Sequence, residues 1–124
     1  MIYGIGIDII KVARIREIVE KWGERFLRRV FTDHEISYCY GKRSPYLSLS
    51  VRFAAKEACI KAIGSRLAVS LKDIEVVNDI SGKPAITTYG TVATFFRENS
   101  LQAAHLSLSH EKDYGVACVV IESE

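Results

Sequence analysis

Two carboxylates, Asp8 and Glu57, stand in settings that ask for a physical reason. Asp8 comes near the end of the apolar run MIYGIGIDII, and Glu57 sits among small residues in RFAAKEACIKAI. A carboxylate in an apolar strand loses several kcal/mol of hydration, roughly 2 or more, unless a cation, a donor or a metal lies beside it. Hard divalent ions such as Mg²⁺ take a few carboxylates, keep several waters and complete their shell with phosphate oxygens. Two acids from separate elements are therefore enough for a metal that also grips a diphosphate. Arg52, Lys56 and Lys61 ride the same segment as Glu57, and Lys83 precedes Pro84 in a turn. Clustered cations would neutralise an anionic substrate before a nucleophile approaches. Spacing alone leaves a plainer alternative open, because Glu57 and Lys61 are four residues apart and can pair along a helix surface. His110, just after Ser109, could bond a phosphate or simply end a hairpin.

Other chemistries lack their residues. There is no Gly-x-Ser-x-Gly elbow, and Gly4-Ile5-Gly6 lacks the third glycine and the helix start of a dinucleotide fingerprint. Cys39, Cys59 and Cys118 lie far apart, without metal-ligand spacing or an adjacent base motif. They read as reduced thiols in a cytosolic setting, not as nucleophiles or a disulfide frame. His34 and His105 read as structural or surface residues.

The elements that must position these groups follow from periodicity. Ile2 to Ile10 reads as a short buried strand. From Lys11 to Val30, Ile15, Ile18, Val19, Trp22, Phe26 and Val30 recur at three- and four-residue steps, which predicts one amphipathic helix. Arg14, Lys21, Arg25 and Arg28 fall on a stripe at the edge of its apolar face. Thr32 and Glu35 fit a capping box at the start of a second helix running to about Tyr40, with Gly41 to Pro45 as the break after it. A third helix spans about Ser48 to Ile63, stopped by Gly64. Asp73–Asn78 and Ala85–Thr88 read as strands around the turn Ser81-Gly82-Lys83-Pro84, and Gly90–Asn99 as a weaker helix. Alternation in His105–Ser109 and the apolar run Gly115–Ile121 predict a hairpin. The fold class is α+β, with helices packed on a small, mainly antiparallel sheet.

The 124 residues fit a single domain, 1–124, and 48% hydrophobic with 26% charged residues is the balance of a soluble globular chain. Lys+Arg 17 against Asp+Glu 15 gives a net charge of +2, too small to imply nucleic-acid binding. No stretch approaches the roughly 20 apolar residues of a membrane span, and the N-terminal run lacks the basic region and cleavage site of a signal peptide. The expectation is a cytoplasmic protein without a membrane or nucleic-acid partner.

Gly6-Ile7-Asp8, Arg52-Phe53-Ala54-Ala55-Lys56-Glu57-Ala58 followed by Lys61-Ala62, and Leu106-Ser107-Leu108-Ser109-His110 together resemble the holo-acyl-carrier-protein synthases, the short bacterial 4′-phosphopantetheinyl transferases. The resemblance extends to Phe31-Thr32 with Glu35, to Asp73-Ile74-Glu75-Val76 and to Gly82-Lys83-Pro84. It implies transfer of 4′-phosphopantetheine from coenzyme A to a serine of an apo acyl carrier protein, with release of adenosine 3′,5′-bisphosphate, for fatty acid biosynthesis. It also implies Mg²⁺ dependence, the transferase fold, and a homotrimer whose coenzyme A sites lie between subunits. By the same resemblance Asp8 and Glu57 are metal ligands. Lys61 lies beside the phosphates and can protonate the leaving group; the resemblance leaves the base open, and on chemical grounds Glu57, or a metal-bound water it orients, is the first candidate. Arg52, Lys61, Gly64, Ser65, Lys83, Pro84, Ser109 and His110 fall where the family contacts coenzyme A. Arg14 falls where the first helix meets the carrier, and Lys21, Arg25 and Arg28 extend that basic stripe toward an acidic partner. The chain departs from the family in reading Gly64-Ser65-Arg66 where a Gly-Ser/Thr-Gly turn is common, and in carrying Lys21 where an Arg would give a bidentate fork. Two other classes remain to be distinguished: a non-catalytic module that binds an acidic protein, and a small metal-dependent nuclease, which would call for more acids and a broader basic surface.

Overall fold

The computed structural model describes residues 1–64 and 67–124. In chain order these form β1 (Ile2–Lys11), α1 (Val12–Trp22), α2 (Glu24–Val30), α3 (Asp33–Tyr40), α4 (Pro45–Ile63), a 3₁₀ turn (Leu71–Asp73), β2 (Ile74–Asn78), β3 (Pro84–Thr88), α5 (Gly90–Glu98), β4 (Leu101–His110) and β5 (Tyr114–Ser123). The α+β reading holds, but the strands divide into two sheets: an antiparallel triple in the order β1-β5-β4 and an antiparallel pair β2-β3.

The helix expected over Lys11–Val30 is broken in two. Gly23 adopts φ 54°, ψ −132°, a conformation that glycine reaches without a Cβ penalty, and its N–H still closes on the Val19 carbonyl before α2 begins. The apolar period runs on across the break because both short helices lay their apolar sides on the same core. The capping box is present as read: Glu35 N–H donates to the Thr32 hydroxyl, and Thr32 N–H to the Glu35 carboxylate. The third helix starts three residues earlier than expected, because Pro45 supplies a preset φ and lacks the N–H that a first-turn residue leaves unbonded anyway. It ends at Gly64 in the left-handed region.

α4 is the organising element. Ala54, Ala55, Ala58, Cys59 and Ala62 are all buried along it, so its small side chains let neighbours approach from several sides. The triple sheet covers one side with Ala117, Val119 and Ile121, and Ile15, Val30, Phe31, Leu49 and Ile74 complete one contiguous core. The other face of that sheet has no cover among the described residues. Ile5, Ile7 and Ile9 are 61%, 61% and 63% exposed, and across the sheet they stand in rows with Val120, Cys118 and Val116 and then His105, Ser107 and Ser109.

Candidate active site

Gly4, Gly6, Asp8 and Ile10 occupy the inner face of β1, opposite Ile121, Val119, Ala117 and Gly115. A Cβ at Gly4 would stand 2.0 Å from the Ala62 carbonyl oxygen, and one at Gly6 would stand 1.8 Å from that of Ala58. Strand and helix therefore meet backbone to backbone, stepping from Ala62 to Ala58. The next inward position, Asp8, comes to the part of α4 that carries Glu57. Lys61 joins the seam: its Nζ donates to Asp8 Oδ1 at 3.0 Å and to the Ile7 carbonyl at 3.0 Å. The Lys61 side chain is 54% exposed and that of Asp8 only 18%. The surface pairing of Lys61 with Glu57, open from spacing alone, is not what forms. Glu57 is half-buried, and its carboxylate enters no ion pair among the described residues.

This donor set suits a hard cation with incomplete protein coordination. Among the described residues, no three His, Cys, Asp or Glu side chains converge to hold a metal by themselves. Two carboxylates at a half-open seam fit Mg²⁺ when water and phosphate oxygens supply the remainder.

The opposite flank of α4 is cationic. Arg52 precedes Glu57 by five residues, about 140° around the helix at 100° per residue. Its guanidinium stacks on Tyr38 at 4.3 Å from the ring centroid, donates to Ser48 Oγ at 3.2 Å and to Asn78 Oδ1 at 2.6 Å, and is 4% exposed. Its Nε is buried without a partner among the described residues. Arg52, Tyr38, Lys42, Arg43, Asn78 and His110 line one hollow beside the β4 edge. Lys83 and Pro84 adjoin it, since Pro84 pairs with Asn78 in the β2–β3 ladder and the Lys83 N–H is held by Asp79. Ser109 does not share the hollow. It lies in the outer-face row with Val116 and Ile9, while its neighbour His110 lies in the inner row with Gly115 and Ile10. Gly64 caps α4 one turn beyond Lys61, and Ser65 and Arg66 lie outside the described residues.

The structure thus joins Asp8 and Lys61, with Glu57 one turn of α4 before Lys61, and gathers Arg52 and His110 in the hollow that Lys83 and Pro84 adjoin. Lys56, which the sequence grouped with the substrate-facing cations, belongs to neither. It is fully buried, donating to Glu35 Oε1 at 2.8 Å and to the carbonyls of Leu71 and Ile74, while Glu35 Oε2 accepts from Val76 N–H. Burial pushes its pKa down and the Glu35 charge opposes that shift. Burial likewise drives the Cys59 thiol up to about 12, which leaves no thiolate for nucleophilic work near neutral pH. Tyr38, Lys42, Arg43 and Asn78 escaped the sequence reading. Lys42 and Arg43 fall in the break before α4, where two adjacent cations ahead of a proline-started helix are the sequence signal for them.

The basic stripe is also rearranged by the break at Gly23. Arg14 and Lys21 lie on α1, Arg25 and Arg28 on α2, and all four are exposed. Arg28 is committed to Glu24 Oε2 at 2.6 Å and Asp33 Oδ1 at 2.9 Å. Trp22, read as part of the apolar face, is 50% exposed, with Lys21 and Arg25 over its ring at 5.3 and 6.0 Å. Together with Ile18, Phe26 and Arg29 it forms a surface hollow in which apolar and cationic groups alternate.

Residues 4–119 match the family model described as the 4′-phosphopantetheinyl transferase superfamily. A holo-[acyl-carrier-protein] synthase of Halothermothrix orenii is 46% identical over 123 residues, covering 98% of both chains. The crystal structure of holo-[acyl-carrier-protein] synthase from Neisseria meningitidis superposes with a TM-score of 0.92 at 35% identity, covering 99% of this chain and 100% of that one. A synthase from Bacillus anthracis, solved in complex with CoA (3′,5′-ADP), superposes with a TM-score of 0.81 at 40% identity over 100% of this chain and 99% of its own. With its glycine-lined strand seated on α4 and likeness over nearly its whole length, the chain belongs to the holo-[acyl-carrier-protein] synthases of the 4′-phosphopantetheinyl transferase superfamily.

Proposed function

We propose that this protein transfers the 4′-phosphopantetheinyl group of coenzyme A to a serine of an apo acyl carrier protein, in support of fatty acid synthesis, as a single transferase domain over residues 1–124. The observation that carries this reading is the seam at which Asp8 and Lys61 meet beside Glu57, acid and cation together at the edge of a half-open strand–helix junction. In the reaction the serine oxygen forms a bond to the phosphorus that bears pantetheine, and the bond from that phosphorus to the bridging oxygen breaks. The serine proton leaves with a base, and the electron pair departs on adenosine 3′,5′-bisphosphate. Asp8 and Glu57 would hold Mg²⁺, which when bound draws charge from the diphosphate. Glu57 would take the serine proton or orient a water that does. Lys61, on a flexible stem at the same seam, offers positive charge and a proton to the leaving oxygen. Arg52, Lys83, Pro84 and His110 would receive the nucleotide phosphates. Gly64 beyond Lys61 and Ser109 on the outer face are further proposed coenzyme contacts, and Ser65 is proposed as one too although it lies outside the described residues.

Arg52 and Glu57 stand about 140° apart around α4, which favours reading the two groups as halves of sites shared between copies. We therefore read the working unit as a homotrimer in which the seam of one copy faces the cationic hollow of the next. A repeated head-to-tail contact that closes on itself gives a ring, and the exposed Ile5, Ile7 and Ile9 face supplies apolar surface to bury in it. The acidic carrier would dock on Arg14, Lys21 and Arg25 around Trp22, with Arg29 favoured over the already paired Arg28. The unpaired, mostly buried thiols fit a reducing cytoplasm.

The test is incubation with coenzyme A, Mg²⁺ and an apo carrier protein, read by mass spectrometry. The carrier should gain one phosphopantetheine, at a rate that falls as salt is raised. Asp8→Asn and Glu57→Gln should each slow turnover by roughly 100-fold or more with unchanged melting. An unmodified carrier with folded protein would exclude the transferase reading.

A further inference from the structure

The ion pair at the seam has a chemical meaning of its own. Lys61 Nζ sits 3.0 Å from Asp8 Oδ1 and 3.0 Å from the Ile7 carbonyl, so two bonds bring its ammonium to the oxygen that a divalent cation would also seek. Lys61 makes this choice although Glu57 stands one turn away on the same helix. Glu57 is thereby left without an ionic partner among the described residues, one acid being occupied and the other kept open. The pair is half-exposed on the lysine side, and such pairs are weak enough to exchange. A four-carbon stem lets the ammonium swing clear of the strand without moving the helix.

We infer that Lys61 is a built-in occupant of the cation site, which it must vacate when metal and diphosphate enter, so that the two ligands bind cooperatively. The inference rests on the proposed metal-assisted transfer at this seam. A metal arriving alone has to displace Lys61 from Asp8 and leave the ammonium beside it as a like charge. A metal arriving with a diphosphate finds the ammonium drawn to a phosphate oxygen instead, and the same movement carries Lys61 from its resting partner to the leaving group. Each ligand then raises the affinity of the other by the same factor, as linkage requires.

Mn²⁺ titrations followed by electron paramagnetic resonance, with and without coenzyme A, test this independently of turnover. Wild type should bind Mn²⁺ weakly alone and much more tightly with coenzyme A. Lys61→Met should bind Mn²⁺ alone about three- to tenfold more tightly than wild type, and its gain on adding coenzyme A should shrink by a comparable factor. Lys61→Arg, which keeps the cation, should resemble wild type. If Lys61→Met binds Mn²⁺ alone no better than wild type, while wild type still binds it with coenzyme A, Lys61 is not an occupant of the site and only this inference fails. If wild type binds no Mn²⁺ even with coenzyme A, the two-carboxylate metal reading falls as well.

Discussion

Lys56 and Glu57 are adjacent in the chain and opposite in circumstance. The lysine is sealed between Glu35, the start of the 3₁₀ turn and β2, and the glutamate is only half-buried. Around Lys56 the polar groups satisfy one another: Glu35 also takes the Thr32 and Val76 N–H groups, the Thr32 hydroxyl donates to Glu75, and Tyr89 donates to the other oxygen of Glu75. Removing one partner leaves the other as an uncompensated buried charge. Lys56→Met should therefore destabilise the fold by about 3–5 kcal/mol, seen as a lower midpoint in denaturant titration, and Lys56→Met with Glu35→Gln should recover part of that loss. A single variant melting like wild type would show that the pair contributes little. The sequence displayed Glu35 only as half of a capping box, because its other partners, Lys56 on Oε1 and Val76 on Oε2, lie far away in the chain. Lysine between Ala54, Ala55 and Ala58 was the available hint that this side of α4 is enclosed.

At the level of elements, the contact of β1 with α4 decides where the chemistry sits. Gly4-x-Gly6-x-Asp8 was legible as a strand with one odd carboxylate, but the glycines read as interruptions, since their use is to admit a helix backbone that no local pattern displays. Gly6→Ala forces a methyl group against the Ala58 carbonyl, so the strand must lift away and Asp8 with it. The expected result is destabilisation of at least about 1–3 kcal/mol, with Mg²⁺ or Mn²⁺ affinity lost in whatever fraction stays folded. Intact metal binding in Gly6→Ala would mean that the seam tolerates a wider gap. The opposite error occurred at Gly23, where an unbroken apolar period hid a real break. Periodicity records which side of a segment meets the core, and two helices meeting one core keep that record continuous across a bend. The basic residues placed on one helical stripe consequently divide between α1 and α2, and Trp22 comes to the surface at the bend.

For the whole molecule, the division of groups between the two flanks of α4 was not readable from motif order. Arg52 and Glu57 sit in one short run of the sequence, yet helical geometry turns them away from each other. If each site combines the Asp8 flank of one copy with the His110 flank of another, inactive variants should rescue one another. Asp8→Asn chains co-expressed in equal amounts with chains carrying Lys83→Glu and His110→Glu should recover about a quarter of wild-type specific activity, the share of random contacts in which both contributing flanks are intact. Mixtures no more active than either parent would place each site within a single chain. Ser109 belongs to the same question, since its outer-face position aims it at whatever covers the apolar rows of Ile5, Ile7 and Ile9.

The back-to-back placement of acid seam and cationic hollow has a genetic corollary. If sites are shared around a ring of copies, a lesion confined to one side of α4 spoils a single pocket per defective polypeptide, whereas a lesion that bends the helix itself spoils the pockets shared with both neighbours. Alleles that distort α4 should thus poison mixed assemblies more severely than alleles that merely delete a reactive group.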